Sequence, residues 1–191
     1  LIDLLVVAVV GIAGILAGAA GAQAIMRARG DEADGRAELL LAAPLHRSAW
    51  LLGYVLVGLV SAAAVALAAG LGAGLSFLGT EPDRFWSSLG AGVAQLPAAF
   101  AFVAVTALVF AVLPRATIPA GWALVAVGAF IGQFGALVQL PDAVRGISPY
   151  AHTPQLPGPD PDWGPALVVV AVSVALVALS VLALRRRQLT A

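Results

Sequence analysis

SAWLLGYVLVGLVSAAAVALAAGLGAGLSFLGT, residues 48–80, is a run of 33 residues without one charged side chain. A helix rises about 1.5 Å per residue, so roughly 20 residues cross a hydrocarbon core about 30 Å thick. This run exceeds that length. Outward from it lie four more charge-free runs, residues 4–26, 85–114, 116–141 and 163–184, and the five together take up 134 of the 191 residues. Five crossings fit, and little sequence remains for a soluble domain. Backbone groups in lipid find no water to bond, which favours helices. A β-barrel would show alternating segments of about ten residues, and these runs do not alternate. The expected fold class is therefore all-α, a polytopic transmembrane helical bundle. It forms a single domain over residues 1–191, with spans at about 4–25, 50–75, 91–113, 118–140 and 165–184.

Composition narrows the function classes. Hydrophobic residues make up 61% of the chain, charged residues 10%, and the formal net charge is zero. No bulk electrostatic attraction to nucleic acid follows from that balance. Cysteine is absent, which excludes disulfides and thiolate metal sites. The chain opens on Leu1 rather than Met, close to a hydrophobic run, and reads as part of a longer protein. A signal peptide is the alternative for the first run, but no basic segment precedes it, and Arg27 and Arg29 follow it.

The arginines set an orientation, because cytoplasmic loops collect basic residues. With the segment after the first span inside, Arg27, Arg29, Arg36, Arg47, Arg115, Arg185, Arg186 and Arg187 are cytoplasmic, and only Arg84 and Arg145 lie outside. The expectation is a multi-pass protein of the bacterial plasma membrane, its N-terminal end outside and its C-terminal end in the cytoplasm. Trp50, Phe85, Trp86, Trp122 and Trp163 fall near span ends, where interfacial anchors belong, and Pro97 should kink the third span. Gly14-xxx-Gly18 and Gly128-xxx-Gly132 match a close-packing pattern that serves either general helix packing or dimer contacts.

Residues 26–48 read MRARGDEADGRAELLLAAPLHRS, unlike the rest of the chain. Asp31 is placed to cap a helix running to about residue 43, where Pro44 stops it. Glu32 and Arg36 are four apart, the favourable order for a helical ion pair. Ala33, Ala37, Leu40 and Leu41 share one face. The pattern predicts a short amphipathic helix at the inner membrane surface, its polar face open to a cytoplasmic partner, with a plain solvated connector as the alternative. The segment 141–163 carries six prolines and is either a rigid cap over the outer mouth or an irregular loop. Arg185, Arg186 and Arg187 anchor the topology and are able to meet lipid headgroups.

No catalytic constellation emerges. Asp31-x-x-Asp34-Gly35 is similar to the opening of the CDP-alcohol phosphotransferase motif, but Glu38 and Leu39 stand where that family needs Ala and Arg. Its further aspartates are missing too. His46 and His152 fall on opposite sides of the membrane, so no shared metal site is expected. There is no P-loop, so the chain does not hydrolyse ATP by that route. No ionisable group lies within a span, where ion-coupled transport would usually leave one. Thr106 and Gln133 are the deepest polar residues, and they either bond between helices or line a substrate path. A transporter so built would draw its energy from a partner subunit.

Taken together, Glu32, Gly35, Glu38, Leu39, Leu40, Pro44 and Arg47 give this chain a resemblance to the type-2 ABC exporter permeases. Gly35-Arg36-Ala37-Glu38 narrows the likeness to permeases described as exporters of polyketide antibiotics. Leu113-Pro114-Arg115, Ile147-Ser148-Pro149-Tyr150 with His152 and Pro154, and the terminal Arg185-Arg186-Arg187-Gln188-Leu189 extend it over nearly the whole chain. The subgroup more often has Asp where Gln188 stands. The resemblance implies a six-span unit of which this chain holds the second to sixth spans. It implies that residues 31–43 form a coupling helix whose Glu32, Gly35, Arg36, Glu38, Leu39, Leu40, Pro44 and Arg47 engage a separate ABC ATP-binding subunit. ATP and Mg would sit on that subunit and no cofactor on this chain. A second permease half or protomer and membrane lipid complete the expected partners. The cargo would be hydrophobic or amphipathic and drug-like. An ion-coupled transporter, or a structural membrane protein without transport, remains the alternative.

Overall fold

The computed structural model describes residues 2–36, 46–77, 79, 81–154, 156 and 161–186. All regular elements among them are helical. Helix α1 spans Ile2–Ala33, α2 Arg47–Leu75, α3 Pro82–Ala94 and α4 Leu96–Val112. After a 3-10 turn at Pro114–Ala116 come α5, Thr117–Ala129, a π turn at Phe130–Phe134 and the short α6, Asp142–Arg145. A second 3-10 turn, Pro149–His152, precedes α7, Gly164–Arg186. Five stretches are long and apolar enough to cross a membrane, with α3 and α4 forming one of them.

Several spans depart from their expected bounds, each for a local reason. Helix α1 has 32 residues and is about 48 Å long at 1.5 Å per residue, so its last turns project beyond a hydrocarbon core. Charge at Arg27 marks the membrane boundary there, not the helix end. The third span begins earlier than expected, with Pro82 in the first turn of α3. It breaks at Gln95, because Pro97 in the first turn of α4 offers no N–H to the preceding turn. The fourth span was expected to reach Leu140, but regular α-helix ends at Ala129, and Gln139 has a φ of 54°.

In lipid, helices gain little from burying apolar surface against one another and rely on close packing. Helix α1 is the centre of that packing, lying against α2 and α4, while α7 leans on α4. A Cβ on Gly58 would stand 2.8 Å from the Gly21 carbonyl oxygen, so α1 and α2 touch backbone to backbone. Gly92 of α3 meets α2 in the same way, 2.6 Å from the Ala66 carbonyl. Gly18 and Gly128 both face the Phe102 ring, and Gly132 faces Tyr150. Both small-residue motifs are thus spent on packing inside the chain.

Two apolar clusters close the bundle. Ile25, Trp50, Leu51, Phe110 and Leu184 pack near the end of α1, and Met26, Phe102, Val125 and Tyr150 form the second cluster. Trp50 is therefore not an interfacial anchor: it is 4% exposed and sits between Tyr54 and Phe110. Trp86, Trp122 and Trp163 are exposed, as anchors would be.

Candidate functional sites at the two ends of the bundle

One end of the bundle carries the turn after α1. Helix α1 ends because Gly35 takes a φ of 72°, with the Gly35 N–H reaching back to the Glu32 carbonyl at 3.2 Å. This is the left-handed C-terminal stop that glycine makes cheaply. Asp31 accordingly lies in the last turn of α1 and caps no new helix. The expected Glu32–Arg36 pair along a helix is replaced by bonds across the turn. Arg36 reaches Asp31 at 2.8 Å and Asp34 at 2.6 Å, while Glu32 meets Arg29 at 3.4 Å. The Tyr54 hydroxyl donates to the other Asp31 oxygen, tying the end of α1 to α2.

Of the residues expected to grip a partner, Glu32 is buried, Gly35 is half-buried at the turn, and Arg36 and Arg47 are exposed. Glu38, Leu39, Leu40 and Pro44 lie outside the described residues, and so does most of the expected amphipathic helix. Among the described residues, Asp34, Arg36 and Arg47 flank the connector and are exposed. Sequence reasoning missed Asp31–Tyr54, whose members are 23 residues apart on two different helices.

At the opposite end, the segment after α5 folds back into the bundle. Ser148 donates to the Gly128 carbonyl at 2.7 Å and its oxygen accepts from the Tyr150 N–H at 3.3 Å. Tyr150 is buried, stacked at a tilt on Phe102 and bonded through its hydroxyl to the Gly14 carbonyl at 2.9 Å. Burial pushes its phenol above the ordinary range, so it remains a donor at physiological pH. The described part of the Pro-rich segment is thus seated in the bundle, closer to the cap than to the free loop.

Beside Tyr150 lies a cavity of about 370 Å³, lined by α1, the α3–α4 break, the π turn, Arg145, Ala151, Thr153, Pro154 and Leu156. Gln95, Gln133, Arg145 and Thr153 line it together with Val7, Val10 and Ile131. Gln133, on the π turn, lies against Gly11, and Gln95, at the helix break, lies against Gly14. Thr106 is elsewhere. It is fully buried and donates to the Phe102 carbonyl at 2.7 Å within its own helix. The two residues singled out for a substrate path therefore do not share a site. Arginine at 145 and glutamine at 95 were in view in the sequence, but nothing there showed that a helix break and a π turn bring them together. No group of three or more metal-ligating side chains occurs among the described residues.

The family described as multidrug efflux system permease Rv1217c, C-terminal domain, matches residues 1–185. This chain belongs to that family. It is 31% identical over 177 residues to the multidrug efflux system permease protein Rv1217c of Mycobacterium tuberculosis. The alignment covers 91% of this chain and 32% of the relative, so the chain spans about a third of that protein's length. Kinship and five apolar helices agree on a multi-pass membrane protein.

Proposed function

We propose that this chain is a membrane-spanning part of an ATP-driven exporter that moves hydrophobic or amphipathic, drug-like compounds out of the cell. The observation that carries the reading is the family match over residues 1–185. The relative's description as a multidrug efflux permease supports a drug-like cargo. ATP and Mg would be held by a separate ATP-binding subunit, and a second permease half or protomer would complete the path. The end bearing Arg36, Arg47, Arg115 and Arg186 would face the cytoplasm, following the bias of positive charge.

In this reading the connector after Gly35 meets the ATP-binding subunit. Movement there passes to two spans at once, because Arg36 holds Asp31 and Asp31 holds Tyr54 of α2. Arg36 and Arg47 would supply the polar grip, whereas the buried Glu32 would keep the end of α1 in place.

The test is affinity purification of the full-length protein from its native membrane in mild detergent, with an ATPase assay of the eluate. A P-loop subunit should co-purify and should be lost in the Arg36→Glu, Arg47→Glu double variant. A clean preparation with neither partner nor ATPase activity would overturn the reading in favour of an ion-coupled or structural membrane protein.

A further inference from the structure

The geometry points to the cavity between α1, the α3–α4 break and the π turn as a binding site for an acceptor-rich amphipathic small molecule, uncharged or singly anionic. The inference rests on the export reading only in taking that molecule to be cargo. Binding itself depends on this chain's own residues.

The hydrogen-bonding groups decide the ligand chemistry. Tyr150 and Thr153 have already committed their hydroxyl protons, to the Gly14 and Tyr150 carbonyls. The carboxamides of Gln95 and Gln133 have no partner among the described residues, and each carries two N–H donors. Arg145 adds a guanidinium, of which one nitrogen meets Asp142 at 3.3 Å. Among the described residues no carboxylate lines the cavity, and Asp142 itself points to solvent with its side chain 98% exposed. Free donors therefore outnumber acceptors. A carbonyl, hydroxyl or carboxylate oxygen satisfies them, whereas a cation finds no carboxylate, only neutral oxygens, and is repelled by the Arg145 guanidinium. Val7, Val10, Ile131 and Leu156 supply an apolar wall for the body of the same molecule.

Unmet amide donors at the edge of a membrane domain are costly unless water or ligand satisfies them. The fold nonetheless builds room for these two, since Gly11 and Gly14 of α1 have no Cβ where the glutamine heads lie. Both glutamines also come from irregular backbone, Gln95 from the helix break and Gln133 from the π turn. Broken and π-bulged helices inside membrane bundles survive where they line a cavity.

Two dyes with one xanthene skeleton test this at mildly acidic pH, where fluorescein is a monoanion through its carboxylate and rhodamine 123, with its amino groups, is a cation. Binding is measured by fluorescence polarisation to the full-length protein in lipid nanodiscs, with empty nanodiscs subtracted. Fluorescein should bind at least about tenfold more tightly than rhodamine 123. Gln133→Leu and Arg145→Leu should each weaken fluorescein about tenfold, while Arg145→Leu, which removes the cavity's positive charge, should strengthen rhodamine 123. Gln133→Glu conserves size and should repel fluorescein while drawing in rhodamine 123, which keeps the test decisive if a leucine variant misfolds. Absence of fluorescein binding to the wild type, or binding indifferent to Gln133→Glu, would overturn the site. Failure of the export reading would show separately, as dye binding that follows these variants in a protein without an ATPase partner.

Discussion

The Tyr150 hydroxyl donates to the Gly14 carbonyl across 2.9 Å, joining residues 136 positions apart in the chain. The bond fastens the segment after α5 to the middle of α1 and forms one wall of the polar cavity. Two contributions hold it, the ring against Phe102 and the hydroxyl against the carbonyl. Tyr150→Phe removes only the second, and the Gly14 carbonyl keeps its place in the helical ladder. The expected cost is about 1 kcal/mol. Tyr150→Ala also empties a buried ring site and should cost about 3–5 kcal/mol. Thermal unfolding in detergent reads both, and equal stability of the two variants would show that the segment is not seated as described.

Glycines that touch backbone should be far less replaceable than those facing open space. A Cβ on Gly58 or Gly92 would lie 2.8 Å or 2.6 Å from a carbonyl oxygen of the neighbouring helix, with no flexible side chain to yield. Alanine there must separate two helices, at about 1–3 kcal/mol. Gly53 and Gly72 of α2 have nothing within 4 Å of where a methyl would stand. Alanine at those positions should stabilise the helix by roughly 0.5–1 kcal/mol. The unfolding midpoints of Gly58→Ala and Gly53→Ala should therefore move in opposite directions, and a shift of the same sign would contradict the packing.

Gly35 presents the other kind of glycine constraint. Nothing lies within 4 Å of where its Cβ would stand, so substitution acts through its φ of 72° alone. Gly35→Ala should cost about 1 kcal/mol at this turn, and Gly35→Asn less, since asparagine tolerates the left-handed region. Gly35→Pro is incompatible with that φ and should redirect the connector. Under the proposed function, Gly35→Asn should retain export and Gly35→Pro should lose it while still inserting in the membrane. Normal export by a well-expressed Gly35→Pro variant would remove the turn from the coupling route.

The contrast between Gly35 and Gln133 shows what the sequence discloses. Long charge-free runs revealed the number and class of the spans, since lipid admits few alternatives for an apolar backbone. Helix ends were less legible. Asp31 reads equally well as the start of one helix and as the last turn of another, and only the positive φ at Gly35 separates the two. Trp50 was misplaced because nearness to a span end does not reveal which way the side chain points. The cavity was hidden for a different reason. Gln95 and Gln133 are 38 positions apart, and they meet through a helix break and a π turn that hydropathy does not register. Residues 37–45, which carry most of the motif behind the family resemblance, lie outside the described structure.

The Asp31–Tyr54 bond should be worth more than its surface position suggests, because Arg36 acts on the same carboxylate. Tyr54→Phe removes it and Asp31→Asn weakens it by making the acceptor neutral, and the double variant closes a thermodynamic cycle. A coupling of about 1–2 kcal/mol is expected for a hydrogen bond to a charged group at a partly buried site. The Arg36→Gln variant should reduce that coupling by freeing the carboxylate to rotate. Independent, additive effects of Tyr54→Phe and Asp31→Asn on the unfolding free energy would deny any tie between α1 and α2 at this end.

Thr106 and Gln133 part ways in the last prediction. Thr106 donates within its own helix to Phe102, and its methyl lies 3.3 Å from where a Cβ on Gly121 would stand. Thr106→Val keeps the shape, gives up a bond between groups of one helix turn, and should destabilise by about 1 kcal/mol or less. Transport should be unaffected. Gln133→Leu should show the reverse, with little change in unfolding, because the side chain is exposed to the cavity and has no bonding partner among the described residues, and with a marked change in cargo affinity. Export kinetics in proteoliposomes, together with unfolding midpoints of the same preparations, separate the two. A transport defect in Thr106→Val at normal stability would return Thr106 to the substrate path and would mean that the path runs through the centre of the bundle.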